Sequence, residues 1–471
     1  MRNPERLIPS TRPNAKSPYA TSTEEPVARQ TDADALAEVL LTQLPPLLER
    51  FARLTDPRRV ARCRHRVTVL LVYAIFLFLW QFASRREAHQ TLSNPPVWEG
   101  LRAVFPELDT IPHTDTVARL FEQLDPVAFE DALRDTISRL LRKRKFQRWM
   151  VQKHYLVVID GSQKGTHDAP WVSEALRRKT GPDTVSDQVY VVEAILTGPQ
   201  VLTIPLMAEF CENEASADAT TKQDCELKAF HRLAMRLKAA FPRVPFCLLL
   251  DGLYPNGPLI ARCRPYRWDF LIVWQDGNLQ ELQEDAQGLH KLLPQYQRSH
   301  TWGNRRQRFW WVNDLEYAWQ DTVTRHRRHT VVHYVVCEET WQAGNKEHSQ
   351  RWVWLSSAPI TAHNVLDRCN RMARHRWDVE EHLLVEKHCG YHDEHLFSKN
   401  WTAIKNWHTG MRFAHLLNVL ILGSVVLWTT FTRRGMQGTI RWLYESWSGN
   451  WLDPQRLARL RNARPQRRLV G

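Results

Sequence analysis

From Ala35 to about Leu54 apolar residues recur at helical spacing, a continuous apolar run follows over residues 67–83, and Pro95-Pro96 ends it. His113-Thr114-Asp115-Thr116 then supplies cap residues ahead of Val117, Leu120, Phe121 and Leu124. Asp125-Pro126 opens a longer helix that runs out in Arg142-Lys143-Arg144-Lys145. The pattern predicts a helical domain over residues 33–150. Before it, residues 1–32 mix Pro, Ser, Thr and charge without apolar periodicity and are expected to be a disordered tail. The basic exit of the domain fits either phosphate contact by helices or a solvated helix face.

After residue 150 the period shortens. Apolar runs at 155–160, 189–196 and 201–207 read as strands, residues 221–240 as a helix, and 246–251 as a fourth strand. A crossover helix before that strand lets the first and fourth lie side by side and parallel, which brings Asp160 and Asp251 to one carboxyl edge. Ligands of open α/β sheets gather at such edges. Residues 270–274 read as a fifth strand and 277–352 as a β-rich insertion, with 352–355 returning the chain to the sheet and helices over 364–429. The catalytic unit is thus expected at 151–430 and a basic region at 431–471, rich in Arg456, Arg459, Arg461, Arg464, Arg467 and Arg468. The fold class is α/β: a mixed-sheet core with flanking helical parts.

The 471 residues carry a formal charge of +13, which favours a polyanionic partner. The 20 Trp residues include Arg267-Trp268, Arg351-Trp352, Arg376-Trp377 and Arg441-Trp442, pairs suited to unpaired bases or simply to core packing. Eight scattered Cys and no secretory signal at the start point to reduced thiols and a cytoplasmic chain. Residues 67–83 and 413–431 approach the ~20 residues of a membrane span. Gln81 interrupts the first, and His415, Asn418 and Ser424 the second, so buried helices and no membrane are expected.

Asp160-Gly161 and Asp251-Gly252 each also read as an ordinary turn. Far downstream, Arg376, Glu380 and Lys387 fall within about 40° of one face of an ideal helix, over roughly 16 Å. Glu381 lies ~100° away on such a helix. Three acids on separate elements suit two divalent ions about 4 Å apart, as phosphodiester chemistry requires, and hard oxygen ligands suit Mg²⁺. His388, Cys389, His392 and His395 form a zinc-like pattern that lacks a second cysteine pair. Glu209, Glu212 and Glu214 form an acidic cluster ranked below the triad.

The R-(3)-E-(6)-K spacing of Arg376, Glu380 and Lys387, continuing through Gly390-Tyr391 and Glu394-His395, resembles the signature of DDE transposases of the IS4 type, Y-(2)-R-(3)-E-(6)-K. Asp160-Gly161-Ser162 and Asp251-Gly252-Leu253-Tyr254 resemble that family's aspartate segments, and Lys222-Gln223-Asp224-Cys225-Glu226 is similar to a run in related transposases. The resemblance covers roughly residues 110–425. It implies an RNase H-like core in which Asp160, Asp251 and Glu380 are catalytic and hold two Mg²⁺ ions, with Mn²⁺ as a substitute. Arg376, Lys387 and Trp377 are the DNA-contact candidates. The implied activity is cut-and-paste transposition on terminal inverted repeats and target DNA, by a dimer in a synaptic complex associated with the nucleoid. The signature Tyr position is occupied by Ala373, a departure that touches DNA contact and not the triad. The alternatives are an RNase H-fold nuclease without strand transfer and a transposase-derived DNA-binding protein lacking catalysis.

Overall fold

The computed structural model describes Tyr19 and residues 23–168, 171–179, 185–198, 202–213, 223–275, 279–321, 324–344, 346–388, 390–449 and 454–462. Six helices come first: α1 (Glu24–Phe51), α2 (Val67–Leu79), α3 (Arg85–Leu92), α4 (Pro95–Val104), α5 (Thr114–Phe121) and α6 (Pro126–Arg142). Local chemistry starts several of them. Ser84 accepts from the Glu87 amide at the start of α3, His113 from Asp115 at α5, and Asp125 from Val127 at α6, where Pro126 occupies the first turn. Residues 24–32, expected to be tail, form the first turns of α1, and the helix is buried without a break from Asp32 to Leu40.

A ten-stranded mixed sheet follows. Its strands are β1 (Tyr155–His167), β2 (Leu176–Lys179), β3 (Val185–Thr197), β4 (Thr203–Cys211), β5 (Phe246–Leu250), β6 (Asp269–Val273), β7 (Gln297–Trp302), β8 (Arg305–Gln320), β9 (Arg327–Ala343) and β10 (Lys346–Ser356). The order is β2-β3-β1-β5-β6-β10-β9-β8-β7, with β4 paired to β3. Helices α7 (Glu226–Ala240), α8 (Gly257–Tyr266) and α9 (Gln280–Leu292) connect them. The strands expected as an insertion therefore extend the same sheet, because Trp354, Leu355 and Ser356 of β10 pair with β6.

β1 and β5 are parallel neighbours, Tyr155 opposite Phe246 through Val158 opposite Leu249. β5 ends at Leu250, but β1 runs on to His167 beside β3, with Asp160 opposite Glu193. Asp160-Gly161 is therefore mid-strand and not a turn. Alternation along β1 sends Val157 and Ile159 to the larger core and Leu156 and Val158 to a second core on the opposite face.

That second core also holds Cys369, Met372, Ala373 and Val379. They belong to a segment expected as helical, with Arg376 through Lys387 on one regular helix. It is instead π-helical over Asp367–Met372 and 3₁₀ over Ala373–Trp377, and becomes α10 only at Asp378–His388.

Three helices close the chain: α11 (Trp401–Leu422), α12 (Trp428–Ser448) and α13 (Pro454–Asn462). Almost every residue of α11 is buried, since it packs on α1, α2, α5, α6 and β4 at once. α12 and α13 lie on α1, so the last helices pack into the first ones. α12 kinks at Gly435, whose φ of 70° favours glycine. No helix among the described residues is long and apolar enough to cross a membrane.

Phe78 of α2 seats this junction, its ring centroid 5.0 Å from Phe397 and 6.1 Å from Trp407. Phe78→Ala should remove about 3–5 kcal/mol of stability in denaturant unfolding. A drop under about 1 kcal/mol would show that α2 and α11 do not share a core.

Candidate active site

The runs from Tyr155 to Asp160 and from Phe246 to Asp251 have equal length, so on the parallel register of β1 and β5 the two aspartates occupy the same step. Both project from the face of the second core, the face on which the 367–388 segment packs. The guanidinium of Arg376, at the entrance to α10, lies directly over them. Its Nη2 is 3.2 Å from Asp160 Oδ2 and 3.5 Å from Asp251 Oδ2, and its Nη1 is 3.9 Å from Glu380 Oε1. Three carboxylates from three elements thus meet at one cation. The cation is 10% exposed, whereas Glu380 is 60% exposed and opens to solvent. The oxygens do not close to single-ion spacing, because the guanidinium sits among them.

Strands from the far half of the sheet hold Arg374, two residues before Arg376. Glu339 of β9, fully buried, takes Arg374 at 2.7 Å, Arg305 at 2.6 Å, Gln307 at 3.0 Å and the Trp352 indole at 2.8 Å. Burial opposes its charge, yet Arg374 and the bonds from Gln307 and Trp352 hold its pKa below the usual range. Arg368 adds a 3.1 Å bond to Asp269 of β6. His375 Nδ1 lies 2.6 Å from Asp378 Oδ2 where α10 begins.

A fourth acid stands beside the triad. Glu226, first residue of α7, accepts from the Tyr190 hydroxyl at 2.7 Å and from the Tyr254 hydroxyl at 2.6 Å. A Cβ on Gly161 would come within 2.5 Å of both Glu226 Oε2 and the Tyr190 oxygen, and one on Gly252 within 2.3 Å of Gln275. The glycine after each aspartate is therefore a close-approach residue, a requirement that Asp-Gly as a turn dipeptide does not express. Glu226 belongs to the run similar to related transposases, but nothing in its spacing ties it to Asp160.

Lys387 and Trp377 stand apart from the triad. Lys387 bonds the Gln163 carbonyl at 3.2 Å and Glu394 at 3.3 Å, so it ties α10 to the continuation of β1. Trp377 is half-buried and meets Trp352 edge-on at 4.7 Å. Ala373, at the signature Tyr position, is buried in the second core. Trp268 and Trp442 are buried, the packing reading of their Arg-Trp pairs. Of the acidic cluster, Glu209 pairs with Arg232 and Arg236, and Glu212 with Lys405. Glu214, Lys222 and Cys389 lie outside the described residues. Among those described, His388, His392 and His395 form no metal-spaced group.

Burial pushes the Asp160 carboxyl up to about 6; Arg376 opposes this, while the Asp251 and Glu226 charges add to it. Below the unfolded pKa of about 4 the group costs nothing, and as pH rises through about 6 the folded chain must ionise it unfavourably. The Asp160 contribution to stability is therefore present in acid and lost toward pH 7. Asp160→Asn should gain thermal stability over the parent at pH 7.5 and lose that advantage at pH 4.5. An advantage independent of pH would mean that Asp160 ionises without cost.

Residues 48–137, from the last turn of α1 into α6, match the family model described as DDE_Tnp_1-associated. Domains of that kind are found alongside DDE transposases, and the match supports that family without distinguishing the IS4 type. No curated protein matches the chain closely enough to serve as a relative. The chain thus carries a DDE transposase-associated domain on a mixed α/β fold.

Proposed function

We propose that the chain is a DDE transposase of the IS4 type. On this reading its sheet is an RNase H-like core, and it cuts the terminal inverted repeats of its own element and joins the freed 3′ ends to target DNA. One observation carries the reading: Asp160, Asp251 and Glu380 reach a single guanidinium from β1, the end of β5 and α10. A cation already stands where three carboxylates meet, and hard oxygen donors with a solvent-open edge fit Mg²⁺ or Mn²⁺. Two such ions would supply activation of the attacking oxygen and charge relief at the leaving one.

The residues divide that work. Asp160 and Asp251 form a rigid floor fixed by the strand register. Glu380, on the exposed side of α10, closes the site from above. Arg376 offers its guanidinium to a phosphate once the acids have a stronger cation, and Tyr190 and Tyr254 keep Glu226 oriented beneath Gly161. Lys387 and Trp377 are the flanking candidates for the DNA strand, and a dimer is the assembly in which two ends would be paired.

A groove of about 1760 Å³ among α1, α2 and α6 is the surface we assign to the duplex. Among its lining residues Arg66, Arg139, Lys143, Arg144, Lys145 and Arg148 outnumber the acids Glu49, Asp56 and Glu107. Burial and neighbouring cations push Arg139 and Lys145 down, a cost that a phosphate would relieve.

Asp160→Asn, Asp251→Asn and Glu380→Gln should each abolish Mg²⁺-dependent cleavage while leaving DNA binding within about twofold. Full cleavage by any one of them removes that residue from the triad. Pre-cut ends with a free 3′ hydroxyl should be joined to target DNA by the parent protein, and cleavage without joining would favour a nuclease. Lys143→Gln with Arg144→Gln should lower the slope of log affinity against log salt by about 1 for each phosphate that is no longer neutralised. An unchanged slope places the duplex elsewhere.

A further inference from the structure

α10 has two faces. Glu380 looks out to solvent, while His382 and Glu386, one turn apart, point inward and are completely buried. His382 Nε2 lies 3.1 Å from Glu386 Oε1, and His415 Nδ1 of α11 lies 2.8 Å from the same oxygen. The three ligand atoms fall within 4.8 Å of one another. Ligands held at about 2.0–2.1 Å around a tetrahedral zinc ion are about 3.3 Å apart, close to both measured contacts.

A second observation points to the same place. His382 Nε2 faces two carboxylates, Glu386 at 3.1 Å and Glu193 Oε2 of β3 at 3.8 Å, yet forms an aligned hydrogen bond with neither. Glu193, itself buried, has His408 Nε2 at 2.9 Å and Arg412 at 3.4 Å from its Oε1, while its Oε2 meets His382 Nε2 at 3.8 Å, none of them as an aligned hydrogen bond. On the outer side, the Thr203 hydroxyl lies 2.5 Å from His382 Nδ1 and 3.5 Å from His415 Nε2. By accepting from both outer nitrogens, that oxygen would leave a lone pair on each inner nitrogen, the arrangement an outer partner imposes on metal-binding imidazoles.

Charge agrees. Glu193, Glu386 and Asp393 are buried acids, set against two permanent cations, Lys164 beside Asp393 and Arg412 at 3.4 Å from Glu193, with His408 between Glu193 at 2.9 Å and Asp393 at 3.5 Å. The acids outnumber these permanent cations by one.

We propose that His382, Glu386 and His415 form a structural zinc site that pins α10 to α11 behind Glu380, with its fourth position on the side of Glu193 of β3. It is separate from the triad: different residues, the opposite face of the helix, and nitrogen donors that Mg²⁺ does not favour.

The full-length protein, purified without chelator, should contain about one zinc per chain. After zinc removal, Co²⁺ should restore the intense visible bands of a four-coordinate ion, unaffected by excess Mg²⁺. Asp160→Asn should keep zinc and spectrum, while His382→Gln and His415→Gln should each lose them. Zinc-free parent protein that also gives no such Co²⁺ bands overturns the site and leaves a hydrogen-bonded cluster. Bands that survive in both histidine variants, or vanish in Asp160→Asn, overturn it as well. The parent measurement decides even where a variant does not fold, and a negative result leaves the reading of the triad untouched.

Discussion

Three carboxylates brought to one place repel, and the guanidinium of Arg376 is what lets this chain hold them there. At an effective dielectric of about 20, two like charges 4 Å apart repel by about 4 kcal/mol, a large fraction of a domain's whole stability. Arg376 answers all three acids at once. Its own position is over-determined: the second core fixes the backbone, and Arg374 on Glu339 and Arg368 on Asp269 fix the approach. The far strands of the sheet thereby serve the site without touching it. The incomplete compensation of Asp160, whose carboxyl stays near 6, is the mark of a site that still favours more positive charge.

Much of this geometry was legible in the residues. Two apolar runs of equal length, each ending in aspartate and separated by strands and a helix, are enough to specify parallel neighbours in register, because the parallel ladder fixes the step. The spacing of Arg376 and Glu380 likewise implies adjacency. It does so even though Arg376 sits in a 3₁₀ turn before α10, since one helical turn of either kind spans about three to four residues.

What escaped has physical reasons. Asp160-Gly161 reads as a turn because composition cannot report that β3 continues the pairing, or that Glu226 and Tyr190 leave no space for a side chain at 161. The role of Glu226 depends on two tyrosines remote in sequence, Tyr190 and Tyr254. The closing helices look like an independent basic region because local charge is visible and long-range packing is not: Trp442 and Trp447 are buried among the first helices. The His-Cys pattern after Lys387 points to histidines that do not converge, while His382 and His415, 33 positions apart, meet only through the packing of α10 on α11.

α10 thus joins two different environments, a solvent-facing acid on one side and a buried cluster of acids and imidazoles on the other. On the proposed reading the buried side fixes the helix and the exposed side admits ions and strand. The most direct measurement is Mn²⁺ binding to the full chain by electron paramagnetic resonance. Replacing Arg376 with Met should tighten binding, because the ion no longer competes with the guanidinium, and removing the Asp251 charge in that background should abolish the gain. Binding that ignores both changes would show that the three acids do not form one cation site.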